Sequence, residues 1–314
     1  MRGLADRLAD LVGDFSEGGV RDALVRRLRV DSELWRRAVE LGVKRGPDAW
    51  VRYSPPVFGL AFWAALREPR ENVERTLRKL RGPRSRSREL GESARVFTNF
   101  ASCLAEAMLL GAERGYEARV RSQNDGADFK AAQAEGKGLI LATANTAGWD
   151  VAGPMLRTLQ SRDVIIVMEP EDDLGARQLH DAAREKAGVR VVHAGKDPLA
   201  ALPLLRHLQS GGIVAMKFDR TAPGMRTREV RFLGEPWRVP AGIFQLAAMT
   251  GAPILPVFTR RLGFLAYEYV TWPALHLGRR AGGAEVDGVA QALASLLERF
   301  VRDNPEQWFR FWGA

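Results

Sequence analysis

Apolar positions recur at helical spacing through the first third of the chain. Leu4, Leu8, Leu11 and Val12 share one face, and Phe97, Phe100, Leu104 and Met108 share another, three or four residues apart as one side of a 3.6-residue turn requires. Residues 1–118 are therefore expected to form a helical segment. The basic stretch "RKLRGPRSRSREL", 78–90, interrupts it, because Gly82 and Pro83 break a helical pattern; it is a solvated loop or a phosphate contact. From residue 137 the period changes. Five short β-branched or apolar runs, "GLILATA", "DVIIVM", "VRVVHA", "GIVAMKF" and "APILPVF", alternate with helical segments, the mark of an α/β domain over 119–314. The intervening stretches 172–187 and 197–210 have the length of crossover helices, so the fold expected is a mostly parallel sheet with flanking helices, packed against the helical amino-terminal segment. Ligands in such sheets gather at the carboxyl ends of strands.

Composition narrows the partners. A chain of 314 residues with 46% hydrophobic content can bury a sizeable core. Its net charge of +9 suits a phosphate-bearing partner: nucleic acid, an anionic membrane surface or a phosphorylated substrate. The basic residues are spread along the chain without interleaved aromatics, which argues against nucleic acid. Cys103 stands alone on an apolar helical face and reads as core, so no multi-cysteine metal site is expected. Neither a spanning apolar run nor a secretory signal is recognisable. The most lipophilic stretch, "SPPVFGLAFWAAL" at 54–66, is too short to cross a bilayer and suits a core helix or one lying in the membrane interface.

The chemistry centres on "NTAGWD", 145–150, where an apolar strand ends and a helix is expected to begin. Asn145 and Asp150 can face one another across such a turn. A carboxylate there can orient a proton-accepting side chain at 145, or it can cap the helix while Asn145 shapes the turn. An amide accepts a hydrogen bond but not the proton itself. Asp219 and Arg220 end a later strand, where Arg220 can hold a phosphate and Asp219 can brace it, or the two can form a structural ion pair. Gly234 and Gly242 permit a close backbone approach or an ordinary turn. Trp237 lines a groove or fills core. His180, His193, His207 and His276 show no metal spacing, and His193, ending a strand, is the one candidate for a replacement base.

The order of "FDR", "FLGEPWRVPAG", a helix and "TGAPILPVF" within 217–261 resembles the lysophospholipid acyltransferase superfamily, and within it the bacterial lipid A late acyltransferase branch. "ENVERTLRKL", "FTNFASCLAEAM" and "RDNPEQWFRF" resemble further parts of that branch, so the likeness covers about residues 45–312. The resemblance implies a glycerolipid acyltransferase-like fold and places the family's His-x4-Asp/Glu motif on Asn145 and Asp150: the acid is kept, the base replaced. It implies substrate-binding roles for Arg184, Asp219, Arg220, Gly234, Pro240 and Gly242, and it matches the proline of the last block to Pro256. The reaction implied moves a fatty acyl group from an acyl-carrier protein or coenzyme A thioester to a hydroxyl or amine of an amphipathic acceptor, with no permanently bound cofactor and no metal. The place implied is cytoplasmic, peripheral at the inner membrane.

Three accounts of Asn145 follow. The chain is a variant whose base has been lost, in which case Asn145→His restores transfer; or the amide positions an acceptor that needs no strong base; or the protein is a noncatalytic acyl-lipid binder on the same fold.

Overall fold

A computed structural model describes residues 41–112, 114–149, 151, 163–168, 190–193, 201–221 and 224–311. Residues 41–45 are helical, and three helices follow: α1 (Asp48–Ala65), α2 (Arg67–Arg81) and α3 (Arg86–Leu110). As the glycine–proline pair requires, α2 stops at Gly82, whose φ of 72° no helix continues, and α3 starts three residues after Pro83. The helix α1 crosses α3 and buries Val51, Pro55 and Gly59 against it, one face at four-residue spacing. Its 54–66 stretch is thus mainly helix, with a buried side and an exposed side.

The five strands expected from the apolar runs are present as β2 (Leu139–Thr143), β3 (Val164–Met168), β4 (Arg190–His193), β5 (Ile213–Lys217) and β8 (Ile254–Gly263). Pattern alone missed β1 (Arg119–Ser122) and β9 (Ala266–Thr271), which extend one edge. Among the described residues the sheet has seven strands in the order β1-β9-β8-β2-β5-β3-β4. Every pairing is parallel except β8 with β9, a hairpin. The central strand β2 is buried at every position, which explains why its sequence is a continuous apolar run and not an alternating one. Pro256 sits in β8 level with Ala142 of β2.

One expected crossover helix, 197–210, is present in part as α5 (Leu202–Gln209); the other, 172–187, lies outside the described residues. The remaining helices are α4 (Ala127–Ala134), α6 (Gly242–Thr250) and α7 (Gly283–Asp303). A separate antiparallel hairpin joins β6 (Thr227–Phe232) to β7 (Glu235–Pro240) and packs on α7. Phe218, Phe244, Phe258 and Phe300 are fully buried around these elements. Each such side chain contributes roughly 1.5–3 kcal/mol by leaving water.

Candidate active site

The parallel ladder of β2 and β5 sets Thr143 level with Lys217, so both strands end together. Two residues beyond Thr143 comes Asn145; two beyond Lys217 comes Asp219. The loops meet there: the Asn145 backbone N–H donates to Asp219 Oδ2 at 3.0 Å, and Phe218 N–H donates to the Thr143 carbonyl at 2.9 Å. Asp219 is buried, and a second donor, the Trp308 indole N–H at 2.9 Å, shares Oδ2. Among the described residues the buried Oδ1 has no hydrogen-bond partner.

Trp308 belongs to the far end of the chain, where sequence inspection found a family mark and no chemistry. After α7 a 3-10 turn, Pro305–Gln307, delivers residues 307–309 alongside 145–147 as a short antiparallel bridge. Ala147 N–H donates to the Gln307 carbonyl at 2.8 Å, and Phe309 N–H to the Asn145 carbonyl at 2.9 Å. The Phe309 carbonyl in turn accepts from Asn145 Nδ2 at 2.8 Å and from Arg220 at 2.9 Å. Lys217 Nζ donates to Asn145 Oδ1 at 3.1 Å. Asn145, Lys217, Asp219, Arg220 and the carboxyl-terminal segment thus form one polar cluster at the strand ends.

Arg310 lies over the rings of Trp237 and Trp308, 5.8 and 5.6 Å from their centres. Burial pushes its guanidinium below the usual arginine range, with Asp219 acting against that and Arg220 adding to it. Arg310 is thus coupled electrostatically to the buried Asp219, with Arg220 held nearby on the Phe309 carbonyl, and two such guanidiniums can attract a phosphate or a developing oxyanion.

The other expected residues divide. Asp150 and Arg184 lie outside the described residues. Pro240 is buried where β7 ends, and Gly242 opens α6, where an added Cβ would lie 3.9 Å from Met216 of β5. Gly234 is not brought to the cluster. It forms the tip of the β6–β7 hairpin with φ of 80°, after Leu233 at 53°, and open space surrounds the position a Cβ would take. Its lack of a side chain suits the tight turn. Trp237 is core, 4.4 Å from the Phe232 ring. Cys103 is buried as expected, its thiol pushed up to about 12, first by burial and then by Glu106.

Beside the polar cluster lies an apolar cavity of about 120 Å³ between α1 and α3, lined by Val51, Phe58, Phe62, Phe97, Phe100 and Leu104 among others. The Phe100 ring, part of that lining, stands 5.3 Å from the Phe309 ring, while the Phe309 carbonyl holds Asn145 and Arg220. One residue thus links the apolar cavity to the polar cluster.

Comparison with known proteins adds two findings. Residues 90–312 match the model of the family described as bacterial lipid A biosynthesis acyltransferase. Two proteins of Mycobacterium tuberculosis, from strains CDC 1551 / Oshkosh and ATCC 25618 / H37Rv, each named phosphatidylinositol mannoside acyltransferase, are 30% identical over 186 residues, 57% of this chain and 54% of each relative. The match spans about half the length of these relatives.

Proposed function

The chain belongs to the bacterial lipid A biosynthesis acyltransferase family, and from that premise we propose that it transfers a fatty acyl group from a thioester to a hydroxyl of a glycosylated phospholipid at a membrane surface. The observation that carries the reading is the junction at Phe309, whose ring packs on Phe100 of the apolar cavity's wall while its carbonyl holds Asn145 and Arg220 of the polar cluster. An acyl thioester has the matching halves: an alkyl chain that leaves water favourably and a carbonyl whose oxygen becomes charged as it is attacked.

The cavity is somewhat smaller than the 150 Å³ void that encloses one benzene molecule, so it accommodates an alkyl segment and not a whole long chain. Its rim includes the exposed Trp50 and Phe58, over which the rest of a chain would pass toward lipid. Arg220 and Arg310 are suited to the thioester's phosphate-bearing carrier or the acceptor's phosphate. The acceptor class follows the names of the two mycobacterial relatives, and the donor is an acyl-carrier protein or coenzyme A thioester. None of these steps calls for a bound cofactor.

The test is transfer from palmitoyl-coenzyme A to phosphatidylinositol mannoside in vesicles, followed by thiol release and by mass spectrometry of the glycolipid. Ala101→Trp, which fills the cavity from its wall, is expected to shift preference from palmitoyl toward decanoyl donors while sparing transfer of the short chain. An unchanged chain preference removes the cavity from the reading. Retention of an acyl chain with no turnover on any donor makes the protein a binder instead.

A further inference from the structure

None of the described histidines serves the cleft. His207 bonds the carbonyls of Asp163 and Ile213, at the opposite ends of β3 and β5, and His276 pairs with Glu135. The strand β4, which ends at His193, stands three places from β2, roughly 14 Å at the usual strand spacing. A different titratable side chain does reach Asn145. We propose that Lys217 is the proton acceptor for acyl transfer and that Asn145 positions it, an assignment resting on the acyltransferase reading above.

The geometry assigns the two roles. Asn145 is held at both ends of its amide, Nδ2 on the Phe309 carbonyl and Oδ1 on Lys217. Rotating that amide would forfeit both bonds, so its oxygen is a fixed acceptor. A lysine side chain has a long flexible stem, and this contact tethers its amine at the strand ends. The tether survives titration, because an ammonium and a neutral amine both carry an N–H for Asn145, while only the amine has a lone pair for an incoming proton.

The neighbours are less suited. Arg220 stays charged and cannot accept. Asp219 lies behind the loop, 6% exposed, with Oδ2 occupied by Asn145 N–H and Trp308. Lys217 is only half-buried. In the step proposed, the acceptor hydroxyl gives its proton to Nζ as its oxygen bonds to the thioester carbon. The carbon–sulfur bond then breaks, the thiolate leaves with the electron pair, and the ammonium returns the proton to sulfur. The amide at 145 is accordingly the support of a base supplied by the adjacent strand.

The experiment uses the full chain with palmitoyl-coenzyme A and phosphatidylinositol mannoside vesicles. Lys217→Arg keeps the charge and a donor for Asn145 but has no accepting form; Lys217→Ala leaves space. Both are expected to slow transfer by about 10²- to 10⁴-fold, the usual span of general-base catalysis, with palmitoyl-coenzyme A binding unchanged. Methylamine should partly restore Lys217→Ala and tetramethylammonium should not. In Lys217→Met, adding Asn145→His should recover transfer, since an imidazole with pKa of about 6.5 then stands in the cleft. Asn145→Leu is expected to lower kcat while KM for the glycolipid holds. Full activity in Lys217→Arg, or equal rescue by both amines, overturns the role of Lys217 and leaves the acyltransferase reading standing. Absence of transfer by the unaltered chain with either thioester class removes both.

Discussion

Gly148 illustrates how tightly a single residue is constrained beside the cleft. It has φ of 88°, and a Cβ there would fall 2.1 Å from the Tyr267 ring. Gly148→Ala therefore combines an unfavourable backbone region with overpacking, and should cost on the order of 2–4 kcal/mol, read as a lower urea midpoint at unchanged m-value. The Tyr267 hydroxyl donates to Glu106, which also receives Arg261 through Nε at 2.9 Å and Nη2 at 2.6 Å. Burial holds the Tyr267 phenol neutral far above the ordinary tyrosine range, so it is a fixed donor at every physiological pH. Glu106→Leu leaves Arg261 half-buried without its carboxylate and should destabilise by about 3–5 kcal/mol, again measured by urea unfolding.

At the scale of elements, the basic stretch 78–90 turns out to be a clasp between two helices and not a free phosphate contact. Arg78 meets Glu89 at 2.6 Å, Arg81 meets Glu92 at 2.9 Å and Arg86 meets Glu74 at 2.6 Å, while Lys79 reaches Glu235 on the β7 side of the hairpin at 2.6 Å. The period-based reading saw the cations and not their partners, since Glu89 and Glu92 look solvent-facing until α3 folds back on α2. The Arg78 hydrogen bond holds the Glu89 carboxyl down at about 2. A carboxylate depressed in the folded state contributes stability that is fully present above its unfolded value of about 4.3 and is lost as pH falls through the folded one. The unaltered protein should thus lose more stability between pH 6 and pH 3 than Glu89→Gln does, in urea unfolding at the two pH values.

At the scale of the whole molecule, α1 presents an apolar outer side. Trp50 is 49% exposed, and Tyr53, Val57, Phe58 and Leu60 are exposed with it, near the surface cations Lys44, Arg45 and Arg52. Among the described residues no helix is long and apolar enough to cross a membrane. An apolar helix face with cations at its amino-terminal end suits the interface of an anionic bilayer, where buried area and charge add. Binding to anionic vesicles should exceed binding to neutral ones at low salt, and Trp50→Glu with Phe58→Glu should reduce it, in a sedimentation assay. Charge reversal at Arg78 or Arg81 is a poor probe of that contact, because it breaks the clasp between α2 and α3 first.

The alternation of apolar runs and helical segments was sufficient to specify an α/β chain with a mostly parallel sheet, because β2, β3 and the first parts of β5 and β8 are buried on both faces and their own residues record that burial. The helices over 48–110 were legible for the same local reason, while the face of Leu4, Leu8, Leu11 and Val12 lies outside the described residues. The family motifs also marked Asn145, Asp219 and Arg220 as neighbours in a site. What lay beyond the sequence was every relation between distant residues. Lys217 sits 72 positions from Asn145, and Phe309 sits 164 positions away. Only the β2–β5 register brings the first alongside, and only the return of the chain after α7 brings the second. The strands β1 and β9 were missed because β1 is short and alternates weakly and β9 follows β8 through a short turn with little punctuation. Local spacing encodes which side of an element faces the core; partners across the fold depend on where whole elements pack.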